Sequence, residues 1–181
     1  MATLQVYNEA TPTPITDQDA VKAYLAQLNI GFERWPLHES LGNDASNEDI
    51  LAAYDGEITS LSQQNGYTTA DVINIYPTTP NLDAMLAKFD KEHWHDEDEV
   101  RFILEGVGIF HIHPETGPVV AITVTGGDLL VVPKDTKHWF HLDQARRVCA
   151  IRLFQDTSGW TPHYTETDTA VDYPLEQLLA A

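Results

Sequence analysis

The chain has 181 residues, of which 43% are apolar and 21% are charged, a composition that predicts one ordinary globular domain. With 28 acidic and 10 basic residues, the formal net charge is −18. That charge would repel the phosphates of nucleic acids and anionic membrane surfaces, so neither is an expected partner. We expect no targeting segment, and no apolar run approaches the roughly 20 residues that span a bilayer. The single cysteine, Cys149, excludes an internal disulfide and indicates a buried thiol in a reducing, cytoplasmic setting.

The first half of the chain has mostly helical patterns. Apolar residues recur at spacings of three and four within segments that begin with Asp, Ser or Asn, the residues that cap helices. We therefore expect helices over residues 17–28, 46–66 and 82–89. Residues 31–35 and 71–76 lie between these segments, are rich in β-forming residues, and are each followed by a proline, so we expect two strands there.

From residue 99 onward the apolar period changes to two, which is typical of strands with one buried face. Glycine- or proline-bearing turns separate several of these runs, one of them at Gly106. Many short strands at this spacing predict a mainly β fold, an antiparallel sandwich or barrel. We expect strands at residues 100–104, 108–113, 119–124, 129–132, 139–142 and 147–154. In this interpretation a single domain, 1–181, has a helix-rich part (1–90), a barrel core (91–157) and a tail (158–181), in which residues 174–181 form a short helix or a frayed end.

Three histidines and one glutamate form the most informative pattern in the chain. His93 and His95 are two residues apart, so they share one face of a strand, and Glu99 has the same parity. Because His95 and Glu99 would be about 13 Å apart on an extended chain, residues 96–98 must turn or bulge. His138 would reach the same point from a neighbouring antiparallel strand. Nitrogen and oxygen ligands without a thiolate suit a divalent transition metal, and four of them on an octahedral ion would leave two positions open for chemistry.

Another interpretation of the His93–His95 pair is a solvated surface turn, because a histidine pair near acidic residues is common. The carboxylate at the matching position and the later histidine favour the metal site. His111 and His113 provide a comparison within the same chain, since they have the same spacing but no carboxylate follows at a matching offset. We interpret this second pair as packing or surface residues.

The histidine and glutamate positions, with Gly106, Gly127 and Pro133, resemble the two motifs of the cupin superfamily. Over nearly its full length the chain also resembles the acireductone dioxygenase family. Trp94 stands where that family has threonine, and its side chain is expected to point away from the metal. The resemblance rests on residues 32–35, 92–102, 133–140, 150–154 and 159–160.

The resemblance implies a cupin-type β-barrel and a monomeric enzyme of methionine salvage with one Fe²⁺ or Ni²⁺ per chain. Such enzymes oxidise the acireductone 1,2-dihydroxy-3-keto-5-methylthiopentene with O2. The iron form yields formate and 4-methylthio-2-oxobutanoate, whereas the nickel form yields formate, carbon monoxide and 3-methylthiopropanoate. Two alternatives stay open: another metal cupin, such as a sugar-phosphate isomerase or an oxalate-type oxidase, and a cupin that binds a metal or small ligand without turnover.

Arg101 is two residues beyond Glu99 and shares its strand face, where a fixed guanidinium could stabilise an anionic substrate. The alternative is a surface salt bridge. The resemblance assigns the matching arginine a catalytic role and makes Arg152 a second candidate for substrate binding. It also implies that Asp98 and Glu92 take part through conformational coupling and metal loading, although both could simply be solvated. Three aromatic residues could wall the pocket or belong to the plain core: Phe89, Phe140 and Trp160.

Overall fold

The computed structural model describes residues 1–7, 13–38, 41, 45–156 and 161–173. The strands in chain order are β1 Thr3–Val6, β2 Gly31–Arg34, β3 Thr69–Ile75, β4 His93–Trp94, β5 Glu99–His113, β6 Val120–Thr125, β7 Asp128–Val132, β8 Lys137–Leu142, β9 Val148–Phe154 and β10 His163–Tyr164. The α-helices are α1 Gln18–Gln27, α2 Asn47–Ala53, α3 Asp55–Asn65 and α4 Leu82–Leu86, and a short 3-10 helix covers Thr169–Asp172. None of the helices in these ranges is long and apolar enough to cross a membrane.

The strands form two antiparallel layers that share β5. One layer has the order β1-β6-β5-β8-β4-β10, and the other has the order β2-β7-β5-β9-β3. The first half of β5 pairs with β7 and β9, and its second half pairs with β6 and β8. The mainly antiparallel β architecture that the sequence predicts is thus confirmed. Its strands do not all come from the expected core. β1, β2 and β3 belong to the part predicted to be helix-rich and β10 to the predicted tail, and neither β1 nor β10 was predicted.

The turn predicted at Gly106 is wrong, because β5 continues through this residue as one strand. A β-bulge between Ile103 and Glu105 shifts the register against β9. Gly106 has φ +83°, and a Cβ atom there would lie 1.9 Å from the carbonyl oxygen of Arg147. The glycine is therefore required by a close backbone approach and a left-handed conformation within a strand.

The bulge changes which residues of β5 face the barrel interior. Before it, Arg101 and Ile103 point inward and line a cavity. After it, Phe110 and Ile112 belong to the interior core, so the inward positions change from odd to even. His111, at an odd position beyond the bulge, consequently points to the outer side of the sheet.

Two of the predicted helices begin as expected. The Asp17 side chain accepts a hydrogen bond from the backbone N–H of Ala20 and caps α1. Ser46 and Asp49 form the predicted capping box at α2. The helix expected over 46–66 is broken, however, at Tyr54, whose fully buried ring lies at the junction of α2 and α3.

The helix predicted over 82–89 ends early, at Leu86. The next residues form tighter turns, in which the Phe89 N–H bonds the carbonyl of Leu86. The Phe89 carbonyl accepts a hydrogen bond from the Phe140 N–H of β8, so this end of the segment is set by the barrel and not by helical propensity. The short helix or frayed end expected at 174–181 lies outside the described residues.

Candidate metal centre and adjoining pocket

The four predicted metal ligands converge inside the barrel. His93 of β4 lies directly opposite His138 of β8 in an antiparallel pair, as expected. The chain bends at residues 96–97, and this bend brings Glu99 back beside His95. One potential ligand atom from each of the four side chains lies within 4.8 Å of all the others. The three histidines are buried, with exposed fractions of 1 to 7%.

Backbone carbonyls orient the three imidazole rings. Nδ1 of His93 lies 2.6 Å from the carbonyl oxygen of Lys91, and Nδ1 of His138 lies 2.8 Å from that of Thr136. Nδ1 of His95 makes a longer contact of 3.4 Å with a carbonyl of the C-terminal segment. A carbonyl oxygen can only accept, so each Nδ1 keeps its proton and donates it. A ring without a proton on Nε2 is then the tautomer whose lone pair faces the centre. This tautomer is the one that a metal-binding imidazole needs.

The packing of acceptors at the centre indicates that a cation belongs there. Nε2 of His138 lies 2.6 Å from a carboxylate oxygen of Glu99, and Nε2 of His95 lies 3.5 Å from the same oxygen. Lone pairs that converge in a buried site repel each other unless a proton or a metal ion lies between them. Three imidazole nitrogens and one carboxylate oxygen therefore fit a divalent transition metal.

The groups around Glu99 keep its carboxyl group ionised, which is the form that binds a cation. Burial alone would favour its neutral form, but the charge of Arg101 and the contacts with His138 and His95 outweigh burial and hold the pKa of Glu99 well below its usual range. Burial lowers the pKa of His93 to about 4, and the neighbouring His138 adds to that effect. At neutral pH the centre thus offers a carboxylate and an uncharged imidazole at these two positions.

The site opens into a cavity of about 260 Å³. Paired residues of neighbouring strands form two rows in its wall. In the first row Arg101 of β5 lies opposite Arg152 of β9. In the second row Ile103 of β5 lies opposite Ala150 of β9, which also pairs with Ile73 of β3. The row nearest the ligands is thus charged, and the next row is apolar. Predominantly apolar walls with a few placed polar groups are typical of small-molecule sites.

Both arginines are held by carboxylates. Arg101 donates to Glu99 over 2.8 Å, and burial lowers its pKa to about 10 while Glu99 opposes that shift, so it remains a cation at pH 7. Arg152 makes two hydrogen bonds to Asp71 of β3, of 2.7 and 2.6 Å. The aromatic wall predicted for the pocket includes Phe89 and Phe140, which line the cavity. Trp160, the third predicted aromatic, lies outside the described residues.

Glu92, one of the two further acids predicted to be catalytic, does not line the cavity. Its buried carboxylate contacts Nδ1 of His113 over 2.5 Å and accepts hydrogen bonds from the hydroxyls of Thr165 and Thr167. It therefore joins the ligand strand β4 to β5 and to the C-terminal segment. Its functional role stays a prediction.

Asp98, the other of these acids, also lies outside the cavity lining. It accepts hydrogen bonds from the Tyr67 hydroxyl and the Lys134 backbone N–H. It thus helps to hold the bend at residues 96–97 that connects the ligands His95 and Glu99. Its functional role likewise stays a prediction.

The remaining residues singled out from the sequence lie away from the ligand cluster. Trp94 stacks on His163 of β10 with ring centroids 4.3 Å apart, which agrees with the expectation that it points away from the metal ligands. His111 stacks on Trp139 at 4.8 Å and is fully buried. The prediction for this histidine was a packing or surface residue, and the structure places it in packing.

Sequence reasoning missed the groups that orient the site. The carbonyls of Lys91 and Thr136 act through the backbone, so their residue types carry no signal. Both nevertheless lie two positions before a ligand histidine, and that recurring offset was visible. Asp71 carried a weak signal as an acidic residue at the start of a β-rich run, and its partner could not be identified without the register of β3 and β9.

Comparison with known proteins agrees with this geometry. The ARD/ARD' family model matches residues 7–162. A protein of Picosynechococcus sp. named acireductone dioxygenase is 41% identical over 168 residues, which cover 93% of this chain and 96% of that protein. A protein of the same name from Parvibaculum lavamentivorans is 38% identical, with 96% of each chain covered.

A solved structure has the same fold and a metal at its centre. It is described as acireductone dioxygenase from Bacillus anthracis with a cadmium ion in the active center. The match has a TM-score of 0.84 and 37% identity, and it covers 91% of this chain and 98% of that one. The predicted cupin-type barrel is thereby confirmed. By the family model, the full-length relatives and the shared fold, the chain belongs to the ARD/ARD' family.

Proposed function

We propose that this chain is a metal-dependent dioxygenase that oxidises the acireductone 1,2-dihydroxy-3-keto-5-methylthiopentene with O2 in methionine salvage. The observation that carries the proposal is the buried cluster of three histidines and one glutamate at the edge of a cavity with two arginines. Full-length relatives named acireductone dioxygenase support the same activity.

The residues that would hold the metal are His93, His95, Glu99 and His138. When bound, Fe²⁺ or Ni²⁺ would supply a Lewis acid that favours the ionised ene-diol of the substrate. The donor set does not discriminate between these two metals. We propose that iron loading gives formate and 4-methylthio-2-oxobutanoate, and that nickel loading gives formate, carbon monoxide and 3-methylthiopropanoate.

The two arginines would bind and orient the anionic end of the substrate. Arg101 is held against Glu99, and its side chain is only 14% exposed, so its charge is weakly screened and needs little reorganisation to meet a negative oxygen. Arg152 lies opposite it across the β5–β9 ladder. Together they would place a cationic edge beside the ligands, where the ene-diol oxygens must lie.

The apolar part of the cavity would hold the methylthio tail and exclude water. Ile73, Ile103 and Ala150 form its inner row, and Phe89 and Phe140 add aromatic surface. A tail buried against these side chains gains affinity from apolar area removed from water. Because the two arginines lie in the row nearest the ligands, the substrate would enter with its oxygens toward the ligands and its sulfur toward the core.

We further propose that the protein works as a monomer in the cytoplasm. The ligands and the cavity residues named above all come from one chain, so a complete site needs no second copy. Size-exclusion chromatography with light scattering of the metal-loaded protein tests the oligomeric state.

The activity is tested by loading the metal-free protein with Fe²⁺ or Ni²⁺ in parallel. Each form receives the acireductone under air, and oxygen uptake is recorded together with formate, carbon monoxide and the 2-oxo acid. We expect oxygen uptake by both forms and carbon monoxide from the nickel form alone. Substrate conversion without oxygen uptake would indicate an isomerase, and bound metal without any product would indicate a binding protein.

A further inference from the structure

Two like charges face each other across strands in the wall of the pocket. Arg101 and Arg152 are direct cross-strand partners on the same face of β5 and β9, an arrangement that is unfavourable unless other groups compensate. Each arginine has its own carboxylate, Glu99 for the first and Asp71 for the second. Arg152 therefore lies between Arg101 of β5 and Asp71 of β3, whereas Arg101 is paired with an acid of its own strand.

Asp71 holds Arg152 in a defined orientation. The two residues are register partners of β3 and β9, and both carboxylate oxygens are used, one by Nε and one by an Nη atom. Two parallel hydrogen bonds fix the plane of a guanidinium group as well as its position. The ring of Phe154 lies 5.4 Å from the same guanidinium and supports it from another side.

The exposure of this pair indicates a role other than stability. The Asp71 side chain is 46% exposed and that of Arg152 is 16% exposed. Solvent screens a pair of this kind, so it contributes little to the free energy of folding. What the pair does provide is a fixed direction for Arg152, a long and flexible side chain that lines the pocket.

We propose that Asp71 is a positioning residue that holds the Arg152 guanidinium against the pocket, so that an anionic, ene-diol-type substrate meets a preoriented cation there. This inference rests on the proposed function. Asp71 itself touches no substrate, since it is not among the residues that line the cavity. It acts by removing the orientational freedom that Arg152 would otherwise lose when the substrate binds.

The test is a double-mutant cycle in the metal-loaded protein with the variants Asp71→Asn, Arg152→Gln and the two combined. The substitution Asp71→Asn keeps the size of the side chain and removes its charge and one acceptor. We expect it to raise KM about tenfold and to change kcat by less than about twofold, because it weakens substrate binding and leaves the ligands intact. In the Arg152→Gln background the same change is expected to alter KM by less than about twofold.

Glu105→Gln is the matched control. Glu105 of β5 pairs with Arg147, the residue directly before β9, and neither residue lines the pocket beside the metal ligands. This variant should keep the KM and kcat of the unmodified protein. Metal content is measured for every variant, and anaerobic titration with the acireductone gives a binding constant that does not depend on turnover.

Three results would overturn the inference. The first is an unchanged KM in Asp71→Asn, and the second is an effect that is fully additive with Arg152→Gln. The third is loss of folding in both Asp71→Asn and Asp71→Glu, because it would make Asp71 a structural residue. A protein that consumes no oxygen with the acireductone in its unmodified form would instead contradict the proposed function, and this inference with it.

Discussion

The chain contains two histidine pairs with the same spacing, and the fold uses them in different ways. His93 and His95 point inward, where each offers a nitrogen within 4.8 Å of ligand atoms of Glu99 and His138. His111 and His113 point outward on β5, the first into an aromatic layer and the second toward Glu92. A spacing of two thus ensures that both side chains share a face of a strand, but it does not determine which face.

Both environments bury an imidazole, but they differ in the hydrogen-bond partners of its nitrogens. Burial lowers the pKa of His111 to about 3, with a further contribution from His141, and it lowers that of His93 to about 4. Among the residues that the structure describes, neither ring nitrogen of His111 has a hydrogen-bond partner, whereas Nδ1 of His93 bonds a carbonyl. Groups that fix the tautomer and orientation of an imidazole are typical of metal-binding histidines, and His93 has such a group.

The largest effect should come from replacing a histidine of the inward pair, and the same replacement in the outward pair provides the comparison. Substituting His95→Gln removes a ligand, and we expect metal affinity and activity to fall by at least about a hundredfold. Substituting His113→Gln keeps an N–H donor for Glu92 and should leave one metal per chain. Elemental analysis and oxygen uptake measure both outcomes, and equal metal loss in the two variants would remove the distinction between the pairs.

Removing the positive charge of Arg101, beside the inward pair, should have the next largest effect. With Arg101→Ala, we expect kcat/KM to fall about a hundredfold or more, because a buried charge aimed at the substrate is lost. Arg101 also helps to lower the pKa of Glu99, so that pKa should rise in the variant and metal should be released at a higher pH. Metal retention measured from pH 7 to pH 4 tests this, and a release curve identical to that of the unmodified protein would contradict it.

The bulge that separates the two pairs can be broken directly. Substituting Gly106→Ala places a Cβ atom against the Arg147 carbonyl at a positive φ, so we expect at least about 3 kcal/mol of destabilisation. Gly117 also has a positive φ, of +101°, but open space surrounds it, and Gly117→Ala should cost only about 1 kcal/mol. Urea unfolding followed by circular dichroism compares them, and equal losses would show that the close approach is unimportant.

The smallest effect should be on the acid sensitivity of the folded protein, through His111 on the outer side of β5. Because the folded state keeps the pKa of His111 near 3, only the unfolded chain binds a proton there as pH falls below about 6.5. The stability associated with this residue is therefore present above pH 6.5 and is lost progressively down to about pH 3. The difference in proton binding amounts to about 2–3 kcal/mol between pH 7 and pH 4.5. In the metal-free variant His111→Phe, the fall in Tm over this range should therefore be smaller by roughly 5–10 °C. An unchanged fall would exclude His111 as a source of acid sensitivity.

Much of the site was predictable because it depends on local spacing. The parity of His93, His95 and Glu99 follows from strand geometry, and the need for a bend after His95 follows from a distance. The helix caps at Asp17 and Ser46 were also predictable, since a cap involves residues only three positions apart.

By itself the sequence determined the donor chemistry, the antiparallel β class and the acireductone dioxygenase resemblance, because these depend on residue types and short periods along the chain. Only the tertiary structure decided that β5 runs through Gly106, that His111 faces away from the ligands, and that Asp71 reaches Arg152. Each of these depends on strand register, and register is set by backbone pairing between residues far apart in the chain. A one-residue shift reverses every face that follows it, and no local pattern records where such a shift occurs.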